Sequence, residues 1–82
     1  LEDLRKNIDS YVEAADFSVI ITSSLNVRSL PYICDETFMT AVEAGTVLNC
    51  IGTVEYDGVK WYKVMIDGEV GYISQKYSEK IG

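Results

Sequence analysis

Leu1, Leu4, Ile8, Val12 and Ala15 recur at steps of three and four, the stripe of an amphipathic helix, so the pattern predicts a helix over residues 1–15. Glu2 and Lys6 sit four apart with the acid first, a favourable helical pair, whereas Asp9 and Glu13 place like charges at the same spacing. A helix this short is marginal in water, so its apolar stripe must dock on the rest of the chain, on a partner or on a neighbouring domain. From Phe17 onward the period falls to two, and β-branched and aromatic runs alternate with turn signals. The boundary near Asp16 therefore divides a helical segment or linker, residues 1–16, from an all-β domain, residues 17–82.

Within that domain the expected strands are Phe17–Thr22, Leu25–Ser29, Thr46–Tyr56, Val59–Ile66 and Glu69–Ile73, with Met39–Val42 and Ser78–Ile81 as candidates for a further short one. Leu30-Pro31 interrupts the second strand, because proline has no N–H to give a ladder, and a loop runs from there to about Phe38. Ala44-Gly45 turns the chain, Gly52 marks a bulge or bend, and Ser74–Tyr77 reads as one tight helical turn. Asp57-Gly58 and Asp67-Gly68 are dipeptides that tolerate positive φ, so each closes a two-residue hairpin. Five or six short antiparallel strands around one core predict a small closed barrel, which protects its edges by closure.

Composition narrows the class. With 48% hydrophobic and 24% charged residues in 82, the chain has a core to fold and is one domain at most. Its longest uncharged apolar stretch, Phe17 to Leu25, is broken by Ser18, Thr22, Ser23 and Ser24 and falls short of the roughly 20 residues of a membrane span. The chain opens on Leu1 inside the helical stripe, which reads as a piece of a longer protein. A net charge of −6 repels phosphate backbones and anionic headgroups, so neither nucleic acid nor a membrane surface is an expected partner. Cys34 and Cys50 fit a disulfide, a metal half-site or two core residues. Their spacing matches no zinc pattern, and the alternation Leu48, Cys50, Gly52, Val54 puts Cys50 on one strand face with Leu48 as a small hydrophobe.

Catalysis is not expected. The chain has no histidine, neither cysteine has an identifiable base partner, and no phosphate loop or metal-ligand cluster occurs. Asp35-Glu36 are adjacent and point apart in an extended chain, which is poor geometry for acid–base work. No catalytic residue, metal or cofactor is assigned.

A set of motifs agrees with these hairpins. Leu25-Asn26-Val27-Arg28-Ser29 with Pro31, then Ala44-Gly45-Thr46, Trp61-Tyr62-Lys63-Val64, Gly68, and Gly71-Tyr72-Ile73 with Tyr77 resemble, in order and spacing, the bacterial Src-homology-3-like (SH3b-type) domain. The resemblance implies an SH3-like barrel, carried as an accessory module on secreted or envelope proteins and often beside peptidoglycan hydrolases. It therefore implies an extracellular or cell-wall location, and in some members a cell-wall peptide as ligand. Two features depart from the pattern: Leu30 replaces the glycine usual before the proline, and the loop Tyr32–Phe38 is more apolar and acidic than small polar residues would be. Trp61 and Tyr77 also occupy the groove positions of the eukaryotic Src-homology-3 pattern, but Ser74 stands at its groove proline and Lys76 at its asparagine. Proline-rich recognition is therefore not expected.

Strand alternation sets Tyr62, Val64 and Ile66 against Trp61, Lys63 and Met65. The first set makes the better core, leaving Trp61 as an exposed aromatic contact; the competing reading covers Trp61 with the loop or the N-terminal helix. Tyr32, Tyr56 and Tyr77 are candidates to join it in an aromatic groove, with Asp35 at the edge. Asp35, Glu36, Glu43, Glu55 and Asp57 near that groove would favour a cationic group such as a free amine. The leading expectation is a wall-peptide binding module. The second is a structural adaptor that docks, through the helix stripe, on a neighbouring domain of the same protein and positions or restricts it.

Overall fold

A computed structural model describes all 82 residues, Leu1–Gly82. The helix is shorter than its stripe. Helix α1 spans Glu2–Asn7, a 3₁₀ turn covers Ile8–Tyr11, and strand β1 runs Val12–Ile21, so residues 12–15 are strand. Pairing overrides periodicity here: Val12, Glu13 and Ala14 lie opposite Val54, Thr53 and Gly52 in a ladder. Glu2 pairs with Arg5, three residues on, and the expected Glu2–Lys6 pair does not form. Asp9 and Glu13 fall in different elements and make no helical contact.

The remaining strands are β2 Leu25–Arg28, β3 Phe38–Val42, β4 Val47–Tyr56, β5 Val59–Ile66, β6 Glu69–Ser74 and β7 Ser78–Lys80, with 3₁₀ turns at Asp35–Thr37 and Gln75–Tyr77. Seven strands, not five or six, form one antiparallel sheet in the order β3-β2-β6-β5-β4-β1-β7. The sheet does not close by hydrogen bonds, because β3 and β7 are free edges. It curls instead around shared side chains: Met39 and Val42 of β3 pack on the same core as Val19 and Ile21 of β1. Asp57-Gly58 (φ +53° and +77°) and Asp67-Gly68 (φ +50° and +79°) make the two hairpin turns with both central residues left-handed, as their sequence requires. Leu30 is buried and has no positive φ, so the conformation that glycine would permit at this position is not used. No helix is long and apolar enough to cross a membrane.

Two apolar cores result, and bulges divide them. The register slips between Cys50 and Gly52 on β4 and between Ala14 and Phe17 on β1, at the same level of the sheet. A bulge adds one residue and reverses the alternation beyond it. Leu48 and Cys50 therefore join Val19, Ile21, Val27, Val64 and Ile73 in the larger core, while Val54 joins Trp61 and Tyr72 in a smaller one. The single face expected for Leu48, Cys50, Gly52 and Val54 is split at Gly52 for this reason. Ile8, Val12 and Tyr56 complete the smaller core, so the helical stripe docks on its own sheet.

Candidate functional site

Both cysteines are free. Cys50 is fully buried, its Sγ–H donates to the Gly52 carbonyl at 3.2 Å, and burial pushes the thiol up. It is the small hydrophobe that the strand alternation suggests.

On β5, Tyr62, Val64 and Ile66 do face the larger core. Trp61 faces the other way, as expected, but it is only 3% exposed. The expectation of an open contact aromatic fails because the opposite face is no solvent face: Ile8, Val12 and Tyr56 cover it with the second core. The Trp61 carbonyl accepts from Gln75 Nε2 at 3.1 Å, whereas its buried indole Nε1–H has no acceptor.

Two adjoining surface depressions meet at Trp61. One, about 390 Å³, is lined by Ser23, Ser24, Leu25, Asn26, Arg28, Ile33, Trp61, Ser74 and Tyr77. The other, about 210 Å³, is lined by Pro31, Tyr32, Ile33, Tyr56, Asp57, Val59 and Trp61. Ile33 and Trp61 belong to both, so Trp61 forms part of a common floor and Ile33, 70% exposed, stands between them. Tyr32 and Tyr77 are 45% and 40% exposed, enough to offer ring surface. Tyr56 is held edge-on against Tyr11, with centroids 5.2 Å apart.

Four of the five sequence candidates, Trp61, Tyr77, Tyr32 and Tyr56, are thus brought together. Asp35 is not: it starts the 3₁₀ turn at Asp35–Thr37, is exposed and lines neither depression. Of the five carboxylates expected around a groove, only Asp57 lines this one, and Glu55 lines a separate depression with Tyr11, Glu13 and Lys60. The cationic-ligand expectation loses most of its basis, since four of the five acids line neither depression at Trp61.

The loop carrying Tyr32 and Ile33 is pinned from beneath by Thr37, which is fully buried. Its Oγ1–H donates to the Tyr32 carbonyl at 2.6 Å, and the same oxygen lies 3.4 Å from both the Cys34 N–H and Arg28 Nη1. Arg28 Nη1 also donates to the Cys34 carbonyl at 2.8 Å. Sequence reasoning assigned no site role to Ile33, Arg28 or the hydroxyls of Ser23, Ser24 and Ser74. Ile33 carried a signal, an isolated aliphatic residue in a loop; the serines carried none. Ser74, at the groove-proline position, caps the 3₁₀ turn before Tyr77 by accepting from Lys76 N–H at 3.2 Å. No group of three or more His, Cys, Asp or Glu side chains converges anywhere in the chain. Compared with known family models, curated proteins and solved structures, the chain matches none.

Proposed function

We propose that the chain is a non-catalytic binding module of the bacterial SH3-like type, belonging to a secreted or cell-envelope protein, and that it recognises a peptide component of peptidoglycan. The observation that carries the reading is the grouping of Tyr77, Ile33, Tyr32 and Tyr56 around Trp61. Aromatic rings with exposed faces, fixed on strand ends and a pinned loop, bury ligand area at low entropic cost. The curled seven-stranded sheet, with its motifs placed on β2, β5 and β6, supports an SH3-like barrel. The adaptor reading is weaker, because the stripe that motivated it is spent within the chain: Leu4 is buried and Ile8 and Val12 pack on the Trp61 cluster.

The test is an amide chemical-shift titration with purified muropeptides, followed at the Trp61 indole and at Tyr32–Phe38. Saturable shifts there are expected, and Tyr77→Ala should weaken them by about 2 kcal/mol. Absence of shifts at millimolar muropeptide would refute the reading.

A further inference from the structure

We infer that the depression beside Arg28 receives the free α-carboxylate of a short peptide, with Arg28 as its anion contact. This rests on the peptide-binding reading above and specifies which end of the peptide is read.

The chain has 13 acidic residues and 7 basic ones, yet its one ion pair is the exposed Glu2–Arg5. Arg28 is half-buried and has no carboxylate partner, an unusual state for a cation in an acidic protein. Its Nη1 is held by the Cys34 carbonyl and Thr37 Oγ1, which fixes the guanidinium plane; Nε and Nη2 have no acceptor within the protein. No acidic side chain lines the depression around it, only neutral groups such as Ser24, Asn26 and Ser74.

The Trp61 ring forms part of the floor of the same depression, while its Nε1–H is enclosed and out of a ligand's reach, so the free donors there are those of Arg28. A planar carboxylate matches the free edge of a fixed guanidinium. Leu25, Ile33 and Tyr77 supply the apolar wall for a terminal side chain. The net charge of −6 disfavours polyanions at long range, which selects a single carboxylate on a largely apolar carrier over a phosphate polymer.

Nitrogen-labelled protein titrated with N-acetyl-trialanine, as the free acid and as the C-terminal amide, tests this directly. The acid should shift the Arg28 Nε–H and Trp61 Nε1–H resonances together and saturate, with the amide weaker by roughly tenfold or more. Asn26→Asp, a shape-conserving change at an exposed position of the same depression, should weaken the acid by roughly tenfold and leave the amide unaffected. Equal affinity of acid and amide would overturn the inference, as would failure of the acid to saturate at millimolar concentration. Displacement of the acid by equimolar inorganic phosphate would also overturn it, by marking a general anion site. Muropeptide shifts at Tyr32, Ile33 and Trp61 without preference for the acid would leave peptide recognition standing and remove only the carboxylate contact.

Discussion

Thr37 decides whether the loop bearing Tyr32 and Ile33 is held in place, and Thr37→Val isolates that role. Valine keeps the shape of threonine and removes one hydroxyl. The hydroxyl has one proton, given to the Tyr32 carbonyl at 2.6 Å, and its oxygen faces the Cys34 N–H and Arg28 Nη1 at 3.4 Å. Arg28 keeps its bond to the Cys34 carbonyl, so the loss falls on the Tyr32 carbonyl and the Cys34 N–H beside a fully buried side chain. Each part-buried hydrogen bond of this kind contributes about 1 kcal/mol, and with two affected the expected loss is about 2 kcal/mol. Thr37→Ser keeps the hydroxyl and loses one methyl, for about 1 kcal/mol. Urea unfolding monitored through Trp61 should rank threonine above serine above valine. Thermal midpoints should separate by about 4–8 °C per kcal/mol. Amide exchange at Tyr32–Cys34 should accelerate in the valine variant alone. If valine is as stable as serine, or if the loop exchanges no faster, the hydroxyl does not hold the loop.

Two further outcomes follow from the cores. A Cβ at Gly71 would lie 2.3 Å from Val27 Cγ1, and Val27 is fully buried, so Gly71→Ala should lower stability by about 1–3 kcal/mol in urea; an unchanged midpoint would show that β2 yields freely. Burial pushes the ionisations of Cys50, Tyr62 and Tyr72 up, aided by the charge of Cys50 at Tyr62 and of Asp9 at Tyr72. The unfolded chain therefore ionises first: stability is complete below the ordinary thiol and phenol values, about 8.5 and 10, and is lost as pH rises through the elevated folded ones. The urea midpoint should fall between about pH 7 and about pH 10.5, and a flat profile would contradict the burial of these groups.

The β architecture was legible where local chemistry is decisive. The Asp-Gly pairs need left-handed φ, so both hairpins and the strands they join could be placed closely, and Gly52 marked the bulge. The start of β1 was not legible, because Ile8 and Val12 satisfy a helical stripe and a second core equally well. What distinguishes them is the pairing of Val12 with Val54, a partner more than forty residues away in the chain. Closure was also beyond reach: strand patterns specify which face is buried, not whether β3 and β7 meet.

Trp61 shows how a correct local inference can give a wrong environment. The alternation that separates Trp61 from Val64 holds, and the larger core lies on the Val64 side. The error lay in assuming that a sheet with one core has water on its other face. Matched bulges on β1 and β4 carry those strands from one core to the other, and the N-terminal segment seals the second. Aromatic residues can thus be grouped correctly from sequence while the exposed ring surface shifts to their neighbours. Here the exposed rings are Tyr77 and Tyr32, and Trp61 supports the floor on which they stand. For that reason Trp61→Ala is a poor probe of binding, since it would empty the second core, whereas Tyr77→Ala removes contact area and leaves both cores filled.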